Sequence, residues 1–169
     1  MVKRWPSVLL LAAGLTALAL VAVACGDDDE EPTGEPTAAG EPTAEGEAAS
    51  TVGVSLIEWS VLPEETSAAA GTVTFEASND GEMEHELVVI RSDLEPGALP
   101  LTDEMVVDET QVEVIGEIEE FAPGGTETAS FDLEAGNYIL LCNVIHEEES
   151  GEVHRHYQLG MRTAFEVTE

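Results

Sequence analysis

Beyond residue 50 the chain alternates apolar and polar residues in short runs. Val52, Val54 and Leu56 alternate with smaller or polar neighbours, and Val73, Phe75 and Ala77 do the same before Asn79-Asp80-Gly81. Val112, Val114 and Ile115 mark another run, and Thr128–Leu133 leads into Glu134-Ala135-Gly136-Asn137. A period of two places successive side chains on opposite faces of a strand, and the Asn, Asp and Gly clusters are turn signals. Two runs, His85–Ile90 and Tyr138–Asn143, are apolar at consecutive positions. That is the pattern of central strands covered on both faces. Strands are expected over 52–59, 72–77, 85–90, 112–118, 128–133, 138–143 and 162–167. Ser92–Asp108 contains two prolines and one glycine, and reads as a long connection with a helical turn near 102–107. The fold class is all-β, a β-sandwich or barrel of about seven or eight strands.

The apolar pattern differs in kind nearer the start. Lys3 and Arg4 precede an apolar run from Val8 to Ala24 that ends in Ala22-Val23-Ala24-Cys25-Gly26. A basic start, an apolar stretch and small residues before a cut are the parts of a secretory signal peptide. A Cys directly after them resembles the lipobox of bacterial lipoproteins, in which that Cys carries the lipid. The resemblance implies a signal peptide over 1–24, lipidation at Cys25, and an exported protein anchored to the outer face of a cell membrane. An uncleaved membrane anchor is the alternative. Residues 25–50 hold three Glu-Pro-Thr units and no aromatic residue, Leu, Ile or Val. Such a stretch cannot bury enough apolar surface to offset its ordering entropy, so it reads as an acidic disordered linker. The folded domain is then 51–169.

Charge narrows the partners. The chain has 36 acidic against 5 basic residues, a formal net charge of −31. Phosphate binding needs clustered Lys and Arg, so nucleic acid is excluded as a partner. A strongly acidic protein favours partners with a basic docking surface. No nucleophile elbow, phosphate loop or paired CxxC is present, so nothing points to an enzyme.

With Cys25 lipidated, Cys142 has no internal disulfide partner. A lone Cys in an oxidising compartment is either a buried thiol or a metal thiolate. The histidines are His85, His146, His154 and His156, and Met161 follows closely. One Cys, two His and a Met are the ligand set of a type 1 copper site, where soft sulfur favours Cu(I) and imidazole suits both oxidation states. Three segments carry a more specific resemblance. Phe121 to Asn143, with Asn137-Tyr-Ile-Leu-Leu-Cys142, resembles the approach to the copper cysteine in cupredoxins similar to plastocyanin, azurin and sulfocyanin. His156-Tyr-Gln-Leu-Gly-Met161 resembles the end of their copper loop, and Asn79-Asp-Gly-Glu-Met-Glu-His85 the segment carrying their first His.

The resemblance implies a Greek-key order of the strands and one type 1 copper ion bound by His85, Cys142, His156 and Met161. It also implies an electron carrier serving redox partner proteins, with bracing near Asn79, Asp80 and Asn143. One departure stands out: Asn143 to Arg155 separate Cys142 from His156, a longer loop than that family uses. His146 is therefore the alternative second His, and His154 the third choice. His146 and His154 with Glu147–Glu149 also suggest a second, harder metal site, weighed against a solvated acidic loop. Two other functions stay open: a copper store or delivery protein without electron transfer, and a metal-free interaction module on the same sandwich.

Overall fold

The structure is a computed structural model that describes residues 48–169. The expected signal peptide, Cys25 and the linker up to residue 47 lie outside the described residues. Among those described, no helix is long and apolar enough to cross a membrane.

Among the described residues eleven strands form in chain order: β1 (Ala48–Ile57), β2 (Ser60–Pro63), β3 (Ser67–Ala69), β4 (Gly71–Asn79), β5 (His85–Arg91), β6 (Glu113–Phe121), β7 (Thr126–Leu133), β8 (Gly136–Leu141), β9 (Ile145–Glu147), β10 (Val153–Arg155) and β11 (Arg162–Thr168). A one-turn helix, α1 (His156–Leu159), precedes β11. One sheet has the order β2-β1-β4-β7 and the other β3-β11-β8-β5-β6, while β9 and β10 make a separate hairpin. After β6 and β7 the chain returns to place β8 beside β5, a Greek-key connection.

The seven expected strands are all present with shifted ends, and four short ones join them. β1 starts at Ala48, inside the stretch read as linker, because its first residues pair in parallel with the start of β4, Ala48 opposite Gly71. β2, β3, β9 and β10 have three or four residues each, too few to show a period. No helical turn forms at 102–107. Leu101 and Val107 instead form an isolated bridge, and a 3₁₀ turn follows at Glu109–Gln111, capped by the Asp108 side chain.

The alternation explains the layers. Val52, Val54, Leu56, Val73, Phe75 and Ala77 face inward from the first sheet, and Leu87, Val89, Tyr138, Leu140, Phe165 and Val167 from the second, all within 2 % of full burial. Phe75 meets the Phe165 ring edge-on at 5.4 Å. The outer face of the second sheet is covered as well. Val88, Ile90, Ile139 and Leu141 pack under Leu99, Val107 and Tyr157. The long connection after β5 and the helix α1 thus form a third layer, which is why β5 and β8 are apolar on both faces.

Candidate metal centre

Each side chain of the site is placed by a strand end. His85 opens β5, and by alternation it shares the inward face of Leu87 and Val89. The pairing of β5 with β6 shifts register between His85 and Leu87, a bulge of the kind that re-aims a side chain at a sheet edge. Cys142 lies one residue past β8 and continues the inward face of Tyr138 and Leu140. Its backbone N–H donates to the Met161 carbonyl at 3.0 Å. His156 opens α1, its N–H donating to the Val144 carbonyl at 3.1 Å. Met161 N–H then donates back to the His156 carbonyl at 3.0 Å, closing the turn through Gly160. Gly160 has φ of +129°, and a Cβ there would stand 2.9 Å from the Trp59 carbonyl oxygen, so only glycine fits without strain.

His85, Cys142, His156 and Met161 are all fully buried. His85 Nδ1 and His156 Nδ1 are 3.2 Å apart. Cys142 Sγ is 3.3 Å from His156 Nδ1 and 3.9 Å from His85 Nδ1. The three donors therefore converge, and the Met161 side chain is buried in the same core cluster as Cys142. The spacings suit one ion bonded at about 2.0–2.3 Å, the range of metal–nitrogen and metal–sulfur bonds. The sequence left three choices for the second imidazole, and His156 is the one brought to the cluster. His146 and His154 instead face each other across the β9–β10 hairpin.

Burial decides the charge of these groups. It pushes the Cys142 thiol up to about 12. Burial also lowers His156, with His85 adding to the effect, to about 4. His85 is lowered too, by burial, with the Glu58 carboxylate opposing the shift. Both rings are neutral at pH 7 and offer lone pairs. His85 Nε2 and His156 Nε2 are buried without an aligned hydrogen-bond partner. Two neutral imidazoles and a thiol crowded nitrogen to sulfur, with little other use for their polar atoms, fit a soft or borderline cation such as copper.

The surroundings hold the donors in place. Asn79 is fully buried; its amide donates to the carbonyls of Met83 (2.8 Å) and Phe121 (3.0 Å) and accepts from Gly81 N–H (3.1 Å). This fixes the loop that enters His85. Asn143 accepts from Val107 N–H at 2.8 Å and donates to the Val107 carbonyl at 3.1 Å, tying the residue after Cys142 to the covering layer. Asp80, the third expected brace, instead accepts from Ser55 and Ser78.

Two residues of the site gave no signal in sequence. Glu58 Oε1 lies 3.2 Å from His85 Nε2, off the line of an aligned bond. The same oxygen accepts from the N–H groups of Glu82 and Met83, each at 2.9 Å. A Cβ on Gly81 would meet it at 2.6 Å, so Gly81 leaves room for the carboxylate. Trp59 stacks on His154 at 5.2 Å and touches the His156 ring edge-on at 5.2 Å. Both act across long sequence separations, where local pattern is silent.

No protein-family model and no curated protein matches the chain. Among solved structures it is similar to reduced auracyanin from the photosynthetic bacterium Roseiflexus castenholzii, at 21 % identity over 73 % of this chain and 100 % of that one, with a TM-score of 0.49. It is also similar to auracyanin A, a "blue" copper protein from Chloroflexus aurantiacus, at 18 % identity over 72 % of this chain and 100 % of that one, with a TM-score of 0.47. A third is rusticyanin from Thiobacillus ferrooxidans, at 17 % identity over 70 % of this chain and 77 % of that one, with a TM-score of 0.41.

Proposed function

We propose that this domain is an electron carrier holding one type 1 copper ion through His85 Nδ1, Cys142 Sγ and His156 Nδ1, with Met161 as the weak axial ligand. The convergence of two imidazole nitrogens and a thiol within 3.9 Å in a fully buried pocket carries the reading. Copper in such a set cycles between Cu(I) and Cu(II), with the thiolate as its strongest bond. The chain's own residues supply the rest. The hydrogen bonds among Cys142, Val144, His156 and Met161 hold the donors at their spacing, so little has to move when charge changes. Glu58 faces the outer nitrogen of His85 and favours the tautomer whose Nδ1 is free. Trp59 covers the edge of the His156 ring and limits water. These features favour retention of the ion over release, and hence a carrier over a store.

The protein would act outside the cytoplasm, held to a membrane by lipid on Cys25. It would meet redox proteins that present a basic surface. The acidic charge supports that choice, because the three arginines of the domain are already engaged: Arg91 with Glu134, Arg155 with the Glu104 carbonyl and Arg162 with the Tyr157 carbonyl.

The test is optical. Adding Cu(II) to the purified protein is expected to produce an intense visible thiolate-to-copper band at one ion per chain, with reversible voltammetry. Cys142→Ser is expected to remove the band. Binding of colourless Cu(I) alone would sink the carrier, and no copper uptake would sink the metal site.

A further inference from the structure

The segment between Cys142 and His156 is not an open loop. It folds into the β9–β10 hairpin with Ile145 opposite Arg155, His146 opposite His154 and Glu147 opposite Val153. Glu148 N–H donates to the Glu152 carbonyl at 2.9 Å, and Gly151 takes a φ of +85° to turn the chain. Side chains alternate across a strand pair. His146, Glu148, Glu152 and His154 therefore share one face, and Ile145, Glu147, Val153 and Arg155 take the other.

On that face the donor atoms converge. His154 Nε2 is 3.3 Å from Glu148 Oε1 and 3.7 Å from Glu152 Oε1, and the three groups fall within 4.8 Å of one another. Ligands bonded at about 2.0–2.2 Å around a tetrahedral ion stand about 3.4 Å apart, close to the two distances from His154. The His146 ring lies 6.5 Å from the His154 ring, centre to centre, on the same face but outside the converging trio. The anchor is fixed before any ion arrives, since the His154 ring is stacked on Trp59 and only 14 % of its side chain is exposed. The carboxylates are more open, which gives an ion a way in.

We propose that this face is a second cation site, built from Glu148, Glu152 and His154, for a borderline divalent ion such as Zn(II). Imidazole and carboxylate without sulfur suit such ions. The site does not depend on the copper reading, because it uses none of the buried donors. It does sit against them: Trp59 stacks on His154 and packs T-shaped against His156.

Protein carrying one copper per chain, with the buried donors occupied, is titrated with Zn(II) in 0.15 M NaCl. Calorimetry and metal analysis after dialysis follow binding, and Mg(II) serves as the control for loose binding to exposed acids. One Zn(II) per chain with a Kd below 10 μM, no saturable Mg(II) binding and an unchanged visible band are expected. His154→Ala, and separately the double change Glu148→Gln with Glu152→Gln, should each weaken Zn(II) at least tenfold and leave the visible band intact. Ni(II) should quench Trp59 fluorescence in the wild type and not in His154→Ala. If the protein takes no copper, the same titration on Cys142→Ser reads the hairpin alone. No saturable Zn(II) uptake, or equal uptake by wild type and both variants, would leave only an ordinary His–Glu ion pair and overturn the proposal.

Discussion

His85 and His156 are sealed in the core beside a thiol, while His146 and His154 ride on a short hairpin beside carboxylates. The rings are chemically the same, and their surroundings set them apart. Burial keeps the first pair neutral and places it against sulfur, a setting for a soft ion that changes charge. Carboxylates lie beside the second pair, a setting for a harder ion that keeps its charge. A strand end inside two covering layers makes the first; a strand pair outside both sheets makes the second.

The contrast can be broken from the buried side, with the largest effect. Copper at about a thousand times its Kd should stabilise the fold by about 4 kcal/mol, read as a shift of the denaturant midpoint with and without copper. Cys142→Ser should abolish that shift. An equal shift in the variant would mean that the ion binds elsewhere. Next is the floor of the cage. Leu140 is fully buried two residues before Cys142, so Leu140→Ala should cost about 3 kcal/mol, lowering the urea midpoint without changing the slope. Asn79→Ala leaves the Met83 and Phe121 carbonyls without their donor and should cost about 2 kcal/mol, with a broadened visible band if it loosens His85. The smallest effect sharpens the contrast. Glu147 lies on the hairpin face away from His146 and His154, so Glu147→Gln should change stability by less than about 0.5 kcal/mol and leave Zn(II) uptake unaltered.

The strands that carry the cage were legible because their pattern is strong. The consecutive apolar residues of Leu87–Ile90 and Tyr138–Leu141 announce burial on both faces, and His85 and Cys142 sit at their ends. The second His was legible from its spacing to Met161 but not from its distance to Cys142. His146 lies nearer Cys142 in sequence, but the hairpin carries it away and returns His156 instead. β2 and β3 escaped notice because three or four residues show no period, and their partners, β1 and β11, decide that they form. The expected helical turn at 102–107 fails because Leu99, Leu101 and Val107 are drawn onto the outer face of the second sheet. Glu58 and Trp59 meet His85, His154 and His156 only through the closed sandwich, so their roles belong to tertiary structure.

The parallel pairing of β11 with β3 has a consequence for the order of events. Glu166 sits beside Ser67 and Val167 beside Ala68, contacts between distant parts of the chain that form slowly. Pairing of β5 with β8 brings His85 and Cys142 together, while His156 and Met161 lie just before β11 and are tied to Val144 and Cys142 by backbone hydrogen bonds. A chain cut before His156 keeps only two of the four donors and lacks β11. Metal capture is thus tied to the completion of folding, and the last strand acts as the clasp.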